Sequence, residues 1–271
     1  MTLLHAIILG IVQGLTEFLP VSSSGHLALI ENLFGLSGGN LRFEVFVHLG
    51  TLAAVVVVFR KRISKLVRAV FKARVYSDRG RLRFTDDNLR LALLLVLATI
   101  PAAVIGLLFD DAIERAFQSP VAVSALLLAT GAILFGTRFV RAGEKKMNWW
   151  RALLVGCAQA VAILPGISRS GSTICAGIYA GTKQEDAAEF SFLLSVPVIL
   201  GAGLLKFKDA LHQGIPAGEL LNLAAGGLAA AAVGYVSIKL LLGIVRRRKL
   251  EYFAYYCWAA GLAGLAWFLT R

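Results

Sequence analysis

The sequence predicts an all-α integral membrane protein: about six full transmembrane helices and two re-entrant helix hairpins, arranged as inverted-topology repeats. Three observations carry that expectation. First, 58% of the 271 residues are hydrophobic and only 16% are charged, with a mean hydropathy of +0.74. That leaves too little polar surface for a soluble domain. Second, several stretches stay apolar for the ~20 residues that a helix needs to cross a bilayer. Third, 20 of the 28 Lys and Arg residues fall in three short stretches, 60–90, 138–151 and 246–249. Basic residues crowded into short loops are the positive-inside signature. The net charge of +12 therefore reads as topology and attraction to anionic headgroups, and no nucleic-acid partner is expected.

The elements follow in order as a single membrane domain over 1–271. The start, MTLLHAIILG, has neither a basic leader nor a small-residue cleavage motif, so it reads as mature protein rather than a signal peptide. Segment 1–36 is apolar but broken near its middle by Pro20, whose missing amide and ring clash interrupt a helix; each half is too short to span, so it reads as a re-entrant hairpin. Spans are expected at 43–59, 89–109 and 119–140, with a basic loop at 60–90 between the first two. A second broken segment, 152–182, is interrupted at Pro165, and spans follow at 185–206, 218–245 and 251–270. With the basic loops in the cytoplasm, 109–118 and 207–217 fall outside, as does the C-terminus. The first hairpin then enters from outside and the second from the cytoplasm.

The two hairpins resemble one another. At an offset of 146, Gly10 meets Gly156, Gln13 meets Gln159, Ser22 meets Ser168, Ser24 meets Ser170 and Gly25 meets Gly171. A one-residue shift then places Glu44 on Glu189. Repeat one is expected at about 1–140 and repeat two at about 152–271. In such proteins the site lies where broken helices meet near the bilayer midplane.

The polar residues gather at those breaks. Gln13 and Glu17, four apart, share a helix face. Ser22, Ser23 and Ser24 lead into a second half-helix at Gly25-His26, and serines cap helix starts well. Glu17 needs more explanation, because a carboxylate at membrane depth costs roughly 2.5–3.5 kcal/mol and marks a functional site by default. In the second hairpin Arg169 is the only charge between Arg151 and Lys183. It reads either as a structural partner of Glu17 or as an oxyanion holder, its guanidinium fork matching phosphate. Gly166 and Gly171 leave helix amides approachable, and Ser168, Ser170, Ser172 and Thr173 add hydroxyls. A nucleophile, a base and a cation with amides suit phosphoryl transfer. The set suits no zinc site, although Glu17 with a substrate's phosphates could hold one Mg²⁺ or Ca²⁺ ion. No organic cofactor is expected. Cys157, Cys175 and Cys257 are odd in number, without CxxC spacing, and read as buried thiols.

GLTEFLPVSSSGH (14–26) and PGISRSGST (165–173) resemble the two signature motifs of the bacterial undecaprenyl-diphosphate phosphatases, the class linked to bacitracin resistance. AEFSFLLSVP (188–197), the length and the hydropathy profile extend the likeness over essentially the whole chain. The resemblance implies hydrolysis of undecaprenyl diphosphate to undecaprenyl phosphate and phosphate, in the bacterial cytoplasmic membrane, with a site open to the extracytoplasmic side. Undecaprenyl phosphate is the lipid carrier reused for cell-wall sugars. Where the family has Glu or Gln, three intervening residues and then Glu, this chain has Gln13 and Glu17, leaving one carboxylate. The expected catalytic residues are Ser23, His26, Glu17 and Arg169, with Gln13, Ser22, Ser24, Gly166, Ser168, Ser170, Gly171, Ser172 and Thr173 binding substrate. Ser23 and His26 both stand as candidate nucleophiles, and a homodimer stays open as the assembly. The rival reading is a polyprenyl-phosphate flippase or other secondary transporter, since inverted repeats with paired hairpins also build carriers.

Overall fold

The computed structural model describes residues 1–36, 41–72, 75–78, 81–84, 86–140, 143–212 and 217–270. Residues 213–216, within the loop expected outside, and 141–142, within the second basic stretch, lie outside the described residues. Among the described residues the regular structure is helical apart from one short ladder and one isolated bridge. In order come α1 (Leu3–Thr16), α2 (Ser23–Leu33), α3 (Leu41–Phe71), the antiparallel pair β1 (Val75–Asp78) and β2 (Arg81–Phe84), α4 (Asp87–Leu108), α5 (Asp110–Phe117), α6 (Pro120–Gly136), α7 (Trp149–Val161), α8 (Arg169–Tyr179), α9 (Gln184–His212), α10 (Ala217–Arg246) and α11 (Tyr252–Leu269).

Among the described residues, α3, α4, α6, α9, α10 and α11 are long and apolar enough to cross a bilayer. These are the six spans expected from hydropathy, and the protein is a multi-pass membrane protein. Their outward faces agree: α4 exposes Leu93, Val96, Ile100 and Val104 along one stripe, a patch that water would not tolerate but lipid does. The starts are locally encoded. Asp86, Ser119 and Asn148 cap α4, α6 and α7, each accepting a bond from a backbone amide within the first turn, as short polar side chains do. Pro120 follows its cap at the first helical position, where a missing amide costs nothing.

Two segments differ from expectation. Helix α3 does not stop near residue 59 but runs on to Phe71 through the basic stretch, after a break from helical geometry at Phe59 (φ −98°, ψ 16°). Leu66 and Ala69 in this extension are buried, and burying such a face sustains a helix that charge density alone argues against. Charge ends the apolar span, not the helix. The second is α5, a short helix in a stretch expected to be a loop.

Polar contacts sort the molecule into two ends. At one end Arg42 Nη1 pairs with Glu219 Oε2 at 2.8 Å and Asn222 donates to the Met1 carbonyl at 3.0 Å, gathering the starts of α1, α3 and α10. At the other, Arg62 Nε pairs with Glu189 Oε1 at 2.8 Å and Arg62 Nη1 donates to Asn88 at 2.9 Å. There too Lys145 bridges Thr182 and Arg246 lies 3.9 Å from Glu185. All three basic stretches thus reach the same end.

The helices meet through small residues, as bilayer packing favours. Helix α1 rests on α10 with Gly10 against the Gly226 carbonyl, α3 on α10 with Gly50 against the Gly227 carbonyl, and α7 on α4 with Gly156 against Ala98. Helix α11 packs along α6, where Gly131 receives the Trp258 ring. The α1–α2 pair therefore leans on a helix from the later part of the chain, and the α7–α8 pair on one from the earlier part.

Candidate active site

Each helix pair is broken where the sequence places its polar cluster. Helix α1 ends at Thr16 and α2 begins at Ser23, with Ser22 as N-cap: its Oγ accepts from the Gly25 amide at 3.3 Å. Helix α7 ends at Val161 and α8 begins at Arg169, with Ser168 as N-cap, accepting from the Gly171 amide at 3.1 Å. Ser24 Oγ lies 3.4 Å from Ser22 Oγ, and Ser170 Oγ lies 3.3 Å from Ser168 Oγ. One Ser-x-Ser-Gly module is built twice.

The two tips touch. A Cβ on Gly25 would sit 3.1 Å from the Gly166 Cα, and one on Gly171 would sit 3.2 Å from the Pro20 Cβ. At the offset of 146 these contacts exchange with each other: Gly25 corresponds to Gly171 and Pro20 to Gly166. Ser170 Oγ also crosses to donate to the Leu19 carbonyl at 3.2 Å.

Around that junction stands the chemistry. Glu17 is buried and uses both oxygens. Oε2 accepts from Ser23 Oγ at 2.6 Å and from Gln13 Nε2 at 3.1 Å; Oε1 accepts from Arg169 Nη2 at 2.6 Å. The other guanidinium nitrogen, Arg169 Nη1, is buried with no partner, as are Gln13 Oε1 and Ser172 Oγ. Buried polar atoms are nearly always bonded, so the unsatisfied Arg169 Nη1, with Gln13 Oε1 on the other partner of Glu17, marks a place for a polar guest. Ser23 is only half-buried, leaving the tip approachable. Both α2 and α8 start here, aiming two positive dipole ends at the junction.

The second tip is braced by residues that sequence reading missed. Thr130 of α6 donates to the Gly166 carbonyl at 2.7 Å and accepts from the Ser168 amide at 3.0 Å. Thr173 Oγ1 donates to the Arg169 carbonyl at 2.7 Å and lies 2.6 Å from Ser191 Oγ. A hydroxyl inside an apolar span was the available signal for Thr130, and Ser191 lies within the AEFSFLLSVP stretch, 188–197.

Other expected residues are placed differently. His26 does not bond Ser23 or Glu17. Its Nδ1 meets the Ser22 carbonyl and its Nε2 meets the Tyr256 hydroxyl, each at 2.8 Å. Glu189 pairs with Arg62 at the basic end, and His48 Nδ1 meets the Glu44 carbonyl oxygen at 2.7 Å. Glu17 fits a protein-held cation poorly, because three donors, one of them a guanidinium, already occupy its oxygens. Among the described residues no group of three His, Cys, Asp or Glu side chains gathers around a common point.

Comparison with known proteins covers nearly the whole chain. The family described as Bacitracin resistance protein BacA matches residues 6–263. The undecaprenyl-diphosphatase of Desulfatibacillum aliphaticivorans is 45% identical over 266 residues, covering 95% of this chain and 96% of the relative. That of Desulforapulum autotrophicum is 42% identical over 274 residues, covering 98% of each, and that of Halothermothrix orenii 41% over 265 residues, covering 97% and 96%. The paired hairpin tips, with Glu17, Ser23 and Arg169 on one hydrogen-bonded line, thus sit in a chain that belongs to the BacA bacitracin-resistance protein family.

Proposed function

We propose that this chain hydrolyses undecaprenyl diphosphate, releasing phosphate and returning undecaprenyl phosphate to the pool that carries cell-wall sugars. One observation carries the mechanism: Ser23 donates to Glu17 at 2.6 Å while Arg169 holds the opposite carboxylate oxygen at 2.6 Å and keeps an unpartnered nitrogen. That line supplies a base-activated hydroxyl beside a cation. Ser23 Oγ attacks the terminal phosphorus and its proton passes to Glu17. The bond from that phosphorus to the bridging oxygen breaks, and undecaprenyl phosphate leaves. Water then cleaves the phosphoserine, freeing phosphate and restoring the hydroxyl. Arg169 Nη1 and the first-turn amides of α2 and α8 take the phosphoryl oxygens, and the prenyl tail stays among lipid chains.

His26 is not the attacking group in this arrangement, because both ring nitrogens are engaged. With Glu17 occupied, any Mg²⁺ or Ca²⁺ acts as the counter-ion of the substrate's diphosphate rather than as a resident of the site. The site faces the extracytoplasmic side of the bacterial cytoplasmic membrane. The supporting observation is that the α1 start lies at the end opposite the basic stretches, which the positive-inside rule assigns to the cytoplasm. The two helix pairs then enter from opposite leaflets as inverted repeats, and the exchanging contacts at the tips support that reading.

The test is phosphate release from undecaprenyl diphosphate by purified protein in detergent, with mass spectrometry for phosphate on Ser23. Release that survives Ser23→Ala near the wild-type rate would pass the nucleophile to His26. Transport across liposomes with no hydrolysis would favour a carrier.

A further inference from the structure

Helix α11 holds the first tip at two points remote in sequence. Cys257 Sγ lies 3.7 Å from the Pro20 carbonyl. One residue earlier, the Tyr256 hydroxyl lies 2.8 Å from His26 Nε2, with the two rings stacked at 5.6 Å and 10°.

The hydrogen-bond chemistry fixes the ring. A carbonyl only accepts, so the proton of neutral His26 sits on Nδ1 facing the Ser22 oxygen. Nε2 then carries the lone pair, and the Tyr256 hydroxyl donates to it. The Ser22 carbonyl receives a second bond, from the His26 amide at 3.2 Å. Ser22 is also strained: its φ is +68°, in the left-handed region that a non-glycine residue occupies at a cost. His26 thus clamps the strained residue that immediately precedes Ser23, and Tyr256 holds the clamp.

We infer that Tyr256 is a positioning residue for phosphoryl transfer: by donating to His26 Nε2 it fixes the His26 tautomer, and through the Ser22 carbonyl it holds the backbone that aims Ser23 at Glu17. This rests on the phosphatase reading above. Tyr256 touches no reacting atom; it acts through His26.

The experiment compares Tyr256→Phe, which keeps the stacked ring and loses only the hydroxyl, in two backgrounds. In the wild-type background kcat falls about tenfold and KM stays within about twofold, the rate equivalent of one lost hydrogen bond. In the His26→Gln background the same substitution changes kcat by less than about twofold, because partners in one relay are not additive. Histidine ¹⁵N spectra in micelles, without substrate, show a single His26 tautomer in the parent and a shifted Nε2 signal in Tyr256→Phe. Tyr255→Phe, a neighbour on α11, moves none of these. Equal losses in both backgrounds, or unchanged His26 nitrogens, would overturn the inference. If the parent releases no phosphate, the phosphatase reading fails, while the nitrogen signals still decide the Tyr256–His26 link.

Discussion

The two hairpin tips share a scaffold and divide the chemistry. Both cap a half-helix with the first serine of Ser-x-Ser-Gly, and both press a glycine on the other tip. Yet at the offset that superposes the caps, Arg169 stands where Ser23 stands, and Ile163 where Glu17 stands. One tip supplies acid and hydroxyl, the other cation. They also turn differently. In the second, Gly166 takes the left-handed conformation (φ +98°) and Ser168 is relaxed (φ −73°). In the first, the equivalent of Gly166 is Pro20, whose ring forbids positive φ, and the left-handed residue is Ser22, next to Ser23. The two tips share the Ser-x-Ser-Gly frame, and they differ at the positions that carry the acid, the hydroxyl and the cation.

Breaking the acid–hydroxyl tip has the largest expected effect. Ser23→Ala lowers phosphate release by at least about 10⁴-fold, as loss of an attacking group does, while Ser24→Ala, one residue along, costs less than about tenfold, the worth of a hydrogen bond or less. Steady-state assays on purified, monodisperse protein separate the two. Next comes the cation: Arg169→Ala slows turnover by about 100- to 1,000-fold, the usual loss for one charge-stabilising donor. Arg169→Lys recovers only part of that, because an ammonium lacks the second arm of the fork. Exchanging the charges, Glu17→Arg with Arg169→Glu, restores the ion pair but not turnover; recovery to wild-type rates would mean the pair is purely structural.

The smallest effect sharpens the contrast in backbone strain. Ser22→Gly removes a left-handed penalty of about 1 kcal/mol and gives up a few tenths in capping. Ser168→Gly gives up capping and has no strain to relieve. Thermal unfolding in micelles therefore shows Ser22→Gly unchanged or raised and Ser168→Gly slightly lowered.

Much of this was readable in the residues. Six apolar runs gave six spans, and Pro20 and Pro165 sit at the interruptions of two half-length pairs. Glu17 and Arg169 stood out because charge at membrane depth demands a partner, and they are that partner for each other. What was hidden depends on distance along the chain or on packing. Tyr256 reaches His26 across 230 residues, and an aromatic near a span end is indistinguishable from an interface anchor. Thr130 looked like one hydroxyl in an apolar helix. The run of α3 to Phe71 depends on what Leu66 and Ala69 bury against, which local charge does not reveal.

The crossed packing has a consequence for biosynthesis. Helix α1 leaves the ribosome early, but the surface it rests on, α10, begins only at Ala217. At ordinary elongation rates that is a wait of roughly 10–40 s, during which Glu17 has no Arg169 to neutralise it for most of the interval. The nascent chain therefore cannot finish either half in isolation, and a ribosome stalled in the second half leaves an inert product rather than a partly working one.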